Sequence, residues 1–243
     1  IWKGLVGSEM CIRDRQITLN HPEYFVFGAR HDLVTRPVLG WWTRKMAVQP
    51  VVRKAELLRG GCTEEEANFL NGRSLMTLAS GISHGYGCVL FPEGTSHNNS
   101  YMLRFRTGPM RTILAASALA KGSGKELPVL IPMGLHFRTR EYFRTDVWVE
   151  YGEPIQIGDS DVPQNLVDAV VTGSWSEPPA DSVFKLRDKL REDLVPLSPN
   201  TYSWEEYRGL LLLGHIKGRM ENNAPNSWRR EVEQARYLRD NTA

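Results

Sequence analysis

Short apolar runs alternate with stretches of helical spacing along the first two thirds of the chain. Tyr24-Phe25-Val26-Phe27-Gly28-Ala29 is aromatic and β-branched, and predicts a strand. After Pro37, the residues Val38, Leu39, Trp42 and Met46 recur at helical intervals, and Val48 to Val52 predicts a second strand ending at Arg53. Thr63-Glu64-Glu65-Glu66 is a capping box, in which the threonine oxygen and the glutamate three residues on satisfy backbone donors at a helix start. The helix it opens places Ala67, Leu70, Leu75, Leu78, Ala79 and Ile82 on one side, and Gly85 and Gly87 end it. Cys88-Val89-Leu90-Phe91 is wholly apolar between turn residues, as a central strand covered on both faces would be.

An alanine-rich helix follows Thr107-Gly108-Pro109 to about Ala120, and strands are predicted over Pro128 to Phe137 and Val147 to Tyr151. The order implies an α/β fold with a mixed, largely buried central sheet flanked by helices. Beyond Pro154 the pattern changes. Ser174 to Pro179 reads as a linker, and Val183 to Leu194, Ser203 to Arg219 and Ser227 to Leu238 read as three amphipathic helices, a C-terminal helical extension. The chain therefore divides into a leader over residues 1–16, an α/β domain over 17–175 and the extension over 176–243.

Residues 1–15 show neither periodicity and lack the apolar core of a signal peptide. They resemble translated adapter sequence at the end of a gene fragment; a native, loosely ordered N-terminus is the alternative. With 41% apolar and 24% charged residues the whole chain has globular composition, and a net charge of +2 gives no global field to draw in nucleic acid. Cys11, Cys62 and Cys88 form no CxxC pair, which argues against a disulfide framework or a thiolate zinc site. No run reaches the roughly 18 to 20 apolar residues a membrane span needs, so a membrane contact is expected to be peripheral and the compartment cytoplasmic.

Candidate chemistry gathers at Phe91 to Ser96, with His97 beside it, in the loop Pro92 to Ser100 that leaves the third apolar run. Loops at the carboxyl ends of buried strands are where α/β sheets hold ligands. Pro92 stiffens the exit, Gly94 allows a positive φ or close backbone approach, and Thr95 and Ser96 offer hydroxyls, so the loop can cradle a phosphate. A Pro-Glu-Gly-Thr surface turn is the competing reading. Glu93 would repel phosphate, and its expected part is to orient cationic or hydroxyl groups.

Phe91-Pro92-Glu93-Gly94-Thr95-Ser96 resembles the FPEGT block of the glycerolipid acyltransferases that act on glycerol 3-phosphate and lysophosphatidate. Val48 to Arg53 is similar to that family's block ending in arginine, Val129 to Leu135 to its later apolar block, and Gly28-Ala29-Arg30 with Pro37 to Trp41 to the stretch between the first two. Ser96-His97 and Ser203-Trp204-Glu205 resemble the branch containing glycerol-3-phosphate acyltransferases of the yeast type. The resemblance covers roughly residues 17–220. It implies transfer of a fatty acyl group from acyl-CoA or acyl-carrier protein, as a substrate rather than a cofactor, to glycerol 3-phosphate or a lysophospholipid. Arg53, Glu93, Gly94, Thr95, Ser96 and His97 would surround the acceptor phosphate, with no metal, beside a peripheral membrane surface.

The family's base lies in an HxxxxD block, where the aspartate orients the imidazole. Here His21 has Val26 at the aspartate position and the predicted strand begins at once, so the block is expected to be missing, the α/β domain incomplete at its N-terminus and turnover impaired. The catalytic residues are therefore unassigned. Adjacent His31 and Asp32 do not form an orienting pair, His84 suits a helix end, and Cys88 suits inert packing. Trp41 and Trp42 with Arg44 and Lys45 suit either an interfacial surface or an acyl channel, one of the tryptophans being equally suited to core packing. A non-catalytic phosphate- or phospholipid-binding domain of the same fold is the alternative function; a serine or cysteine hydrolase would need a GxSxG elbow leaving a strand, and no predicted strand runs into one.

Overall fold

The structure is a computed structural model that describes residues 25–30, 37–45, 48–51, 54–95, 97–222 and 227–241. The chain forms two compact units, interleaved in sequence.

The first unit contains the described residues up to Leu90 together with Gly108–Pro128 and Ile157–Pro179. Its sheet has three parallel strands, β1 (Phe25–Arg30), β2 (Val48–Val51) and β3 (Gly87–Val89), in the order β2-β1-β3. The register sets Phe27 opposite Val48 and Phe25 opposite Gly87. Helix α1 (Pro37–Lys45) joins β1 to β2, and α2 (Lys54–Arg59) and α3 (Glu64–Ser83) precede β3. A Cβ on Gly28 would lie 2.5 Å from Leu90 Cδ2, 3.2 Å from Val51 Cγ2 and 3.5 Å from Leu78 Cδ1, so glycine in the middle strand is what lets these side chains close over the sheet.

Helix α3 begins at the capping box the sequence predicts: Glu66 N–H donates to Thr63 Oγ1 at 3.3 Å and Thr63 N–H to Glu66 Oε2 at 2.9 Å. It ends at Ser83, and Gly85 at φ +93° turns the chain toward β3. Small residues let α4 (Gly108–Gly122) pack closely on it: Ala79, Ala115 and Ala116 are fully buried, with Ile82, Leu119 and Trp175 around them. Helix α5 (Gln164–Val171) lies against α4, where a Cβ on Gly122 would meet Val171 Cγ2 at 2.5 Å. The 174–179 stretch is irregular, as expected of a linker, yet Trp175 is docked, a Cβ on Gly72 reaching 2.7 Å from its ring.

The second unit contains Phe91–Thr107, Val129–Gln156 and Ala180–Ala243. Strands β4 (Met133–Phe137) and β5 (Val147–Tyr151) pair antiparallel, Met133 opposite Tyr151. Three helices complete it: α6 (Ala180–Leu194), α7 (Trp204–Asn222) and α8 (Trp228–Asn241). Helix α6 buries Val183, Leu186, Leu190 and Leu194 on one stripe. Helices α7 and α8 approach at Gly214, where a Cβ would stand 3.0 Å from Ala235 N and from Glu231 O.

Mixed helix and strand content agrees with the sequence reading, but one large central sheet does not appear among the described residues; there are two small ones. The Cys88 to Phe91 run contributes only Cys88 and Val89 to the half-buried three-residue strand β3, which lies at the edge of the sheet among the described residues. An apolar run alone does not separate edge from centre, and the Phe91 carbonyl is drawn into a turn. The strand predicted from Pro128 shortens to Met133–Phe137 because Pro128 and Pro132 have no N–H to give; Leu130 makes a lone bridge with Ile155.

Candidate functional site

The predicted ligand loop is a closed structure within the second unit. Phe91 O accepts from Gly94 N–H at 3.1 Å, which wraps a tight turn around Pro92 and Glu93, and Gly94 takes φ +64°, the left-handed region that glycine enters at no cost. Pro92 O accepts from Arg106 N–H at 2.6 Å, so the chain returning toward α4 is laced back to the turn.

Glu93 is turned into the loop. Its Oε1 accepts from Leu103 N–H and from His97 Nε2, the latter at 3.0 Å, and both side chains are largely buried. Asn99 N–H donates to His97 Nδ1 at 3.1 Å, which leaves the ring proton on Nε2 and makes the Glu93 bond a neutral imidazole N–H donating to a carboxylate. The carboxylate that seemed out of place near a phosphate is thus a clamp, its charge satisfied from inside. His97 has both ring nitrogens engaged.

The far side of the loop is held by the segment before α7. Ser100 Oγ donates to Thr201 O at 2.7 Å in a buried bond, and Trp204 Nε1 donates to Asn98 O at 2.8 Å. Arg140 Nη2 donates to Asn98 Oδ1 at 3.2 Å with its guanidinium 6.0 Å from the Trp204 ring centre. Arg191 Nη1 donates to Leu103 O at 2.9 Å and stacks over buried Phe105. Thr201 and Trp204 therefore act as a wall for the loop.

Arg104 and Arg106, on either side of buried Phe105, are exposed, and neither pairs with a carboxylate among the described residues. Arg106 lies over the turn: a Cβ on Gly94 would be 3.2 Å from Arg106 Cγ. The loop thus gathers four exposed arginines, Arg140 and Arg191 hydrogen-bonded to it and Arg104 and Arg106 part of it, around a single internally bonded carboxylate, a local field that favours an anion. Sequence reasoning missed these arginines. The alternation Leu103-Arg104-Phe105-Arg106 was the available signal for Arg104 and Arg106; Arg140 and Arg191 are too distant in sequence to leave one.

Of the six predicted substrate contacts, Glu93, Gly94, Thr95 and His97 lie in this loop, with Thr95 exposed. Arg53 and Ser96 lie outside the described residues, as do His21, His31 and Asp32. His84 is at the α3 terminus, where Nδ1 donates to Ser80 O at 2.7 Å. Cys88 is in β3, and burial pushes its thiol up to about 12, so it is no nucleophile at neutral pH. Among the described residues no group of three or more His, Cys, Asp or Glu gathers to hold a metal ion.

Residues 15–135 match the family model described as Acyltransferase. Over 151 residues the chain is 29% identical to glycerol-3-phosphate O-acyltransferase 2 of Saccharomyces cerevisiae, an alignment covering 62% of this chain and 19% of the yeast protein. The chain thus spans about a fifth of the length of that curated relative. No solved structure matches.

Proposed function

The chain belongs to the acyltransferase family, and from that premise we propose that it serves the transfer of a fatty acyl group from acyl-CoA or acyl-carrier protein to the hydroxyl of glycerol 3-phosphate or a lysophospholipid, the Phe91 to Arg106 loop holding the acceptor's phosphate. The observation that carries this is the pairing of Arg106 with the Gly94 turn: the stem of an exposed arginine lies against the glycine, and the only loop carboxylate is turned inward. A guanidinium offers a phosphate two parallel donors, and holding the phosphate presents the alcohol to the thioester in an attacking geometry.

In the reaction the acceptor oxygen loses its proton to a base as it attacks the thioester carbonyl, the carbon–sulfur bond breaks and the thiolate leaves to take up a proton, without an acyl-enzyme. His97 does not serve as that base, since Nδ1 already accepts from Asn99 N–H. None of the six histidines is followed at the fifth position by aspartate. This favours a second reading for the chain itself, an acceptor-binding domain without a base of its own. Titration with glycerol 3-phosphate, alongside a turnover assay with acyl-CoA and the same acceptor, separates the two: binding with turnover supports acyl transfer, binding without turnover supports the second reading, and no binding defeats both.

A further inference from the structure

Helix α7 is apolar on two sides, and the described residues cover one. Tyr207 and Leu210 line a small cavity with Val232 and Ala235 of α8, and Gly214 touches the α8 backbone. The opposite side carries Leu212, Leu213, Ile216 and Met220, which are 61%, 54%, 45% and 82% exposed. With 3.6 residues per turn these four span an arc of about 100° on the helix surface, and Gly209 on the same side has nothing within 4 Å of a built Cβ.

The charges beside this stripe identify the cover. Arg208 and Arg219 fall just outside one edge of the arc and Lys217 just outside the other, roughly 20° to 40° away. Between Tyr207 and Met220 there is no carboxylate; in the first turn Glu205 falls at the N-terminal end of the same arc with Arg208 beside it, and Glu206 Oε2 accepts from Tyr202 N–H. Lys217 lies with its ammonium 4.1 Å from the ring centre of half-exposed Tyr237, an aromatic at the same border. An apolar stripe bordered on both sides by cations fits the layered polarity of a lipid surface, with acyl chains below and phosphates beside them. Among the described residues no helix is long and apolar enough to cross a membrane, so the helix would lie in the interface.

We propose that the outward face of α7 docks on an anionic phospholipid bilayer, burying Leu212, Leu213, Ile216 and Met220 at the acyl boundary and setting Arg208, Lys217 and Arg219 against lipid phosphates. This surface goes beyond the acyl-transfer reading and does not rest on it. The test is sedimentation of the full chain with vesicles of phosphatidylcholine alone or mixed with phosphatidylserine. The chain is expected to pellet with the mixed vesicles, less with phosphatidylcholine, and less as salt is raised, since headgroup attraction is screened. Leu212→Gln with Ile216→Gln should lower partitioning about tenfold or more from lost apolar burial, at an unchanged unfolding midpoint because both positions are exposed. Arg208→Glu with Arg219→Glu should abolish the preference for phosphatidylserine. Failure of the native chain to bind mixed vesicles, or equal binding by both variants, overturns the proposal. So does a vesicle-free self-association that Leu212→Gln with Ile216→Gln dissolves, which would assign the face to a second copy of the chain.

Discussion

Arg106 lies across Gly94 so closely that a single added carbon on the glycine would come within 3.2 Å of the arginine's Cγ. Gly94 is also at φ +64°, which disfavours any side chain. Gly94→Ala should therefore cost about 1 to 2 kcal/mol of stability from backbone strain and displace the guanidinium as well. Chemical denaturation reads the first effect, and weakened glycerol 3-phosphate binding reads the second.

The inward Glu93 makes a prediction whose sign is informative. Removing a carboxylate from a phosphate site ordinarily raises anion affinity. Glu93→Ala should lower it, because Leu103 N–H and His97 Nε2 lose their shared acceptor and the loop loosens, at a cost of about 1 to 3 kcal/mol for the unsatisfied groups. Tighter glycerol 3-phosphate binding by this variant would show that Glu93 faces the ligand.

In the first unit, Gly72 gives Trp175 its seat. Arg111 fixes the same segment, with Nε 2.7 Å from Glu177 Oε2 and its guanidinium over the Trp175 ring, while Trp175 Nε1 donates to Glu177 Oε1 at 2.9 Å. Gly72→Val would drive side-chain atoms into the indole and should destabilise the chain by about 1 to 3 kcal/mol, seen as a lower thermal midpoint.

His136 predicts a pH dependence of stability. It is buried, stacked 4.9 Å from Trp148, and bonded through Nε2 to Glu150 Oε2 at 2.9 Å, while Nδ1 has no hydrogen-bond partner among the described residues. Desolvation holds its pKa below the ordinary value, against the opposing pull of Glu150. Unfolded chains then take up a proton that the folded chain refuses, so stability present above about pH 6.5 is lost as pH falls through that value. Glu150 acts in the same direction further down: burial pushes its carboxyl up, but Arg236 and His136 together hold it below the usual carboxylate value, so its contribution fades as pH drops below about 4.5. Urea midpoints measured from pH 8 to pH 5 should decline, and His136→Phe should flatten the upper part of that decline.

What the sequence made legible was local. The Thr63 to Glu66 box places a helix start because its bonds span three residues, and α6 and α8 are visible because each carries a one-sided apolar stripe. The Pro-Glu-Gly-Thr turn was legible for the same reason, down to the positive φ at Gly94. Hidden from it was everything decided at long separation: that Glu93 points inward toward Leu103, that Arg191 reaches back to Leu103, and that Trp204 closes on Asn98. The short helix α5 was missed because it has only two turns, and Cys88 to Val89 was placed at the centre of a sheet because apolar character does not count neighbouring strands.

Calorimetric titration of glycerol 3-phosphate into the full chain and into Arg106→Ala tests the central claim most directly. Arg106 is exposed and pairs with no described carboxylate, so its removal should leave the thermal midpoint unchanged. Loss of a charge-assisted contact of about 1.5 to 3 kcal/mol should weaken binding by about tenfold or more, with Arg106→Lys in between and glycerol failing to bind either protein. Equal affinity of the native chain and Arg106→Ala for glycerol 3-phosphate would contradict the assignment of this loop as the acceptor-phosphate site.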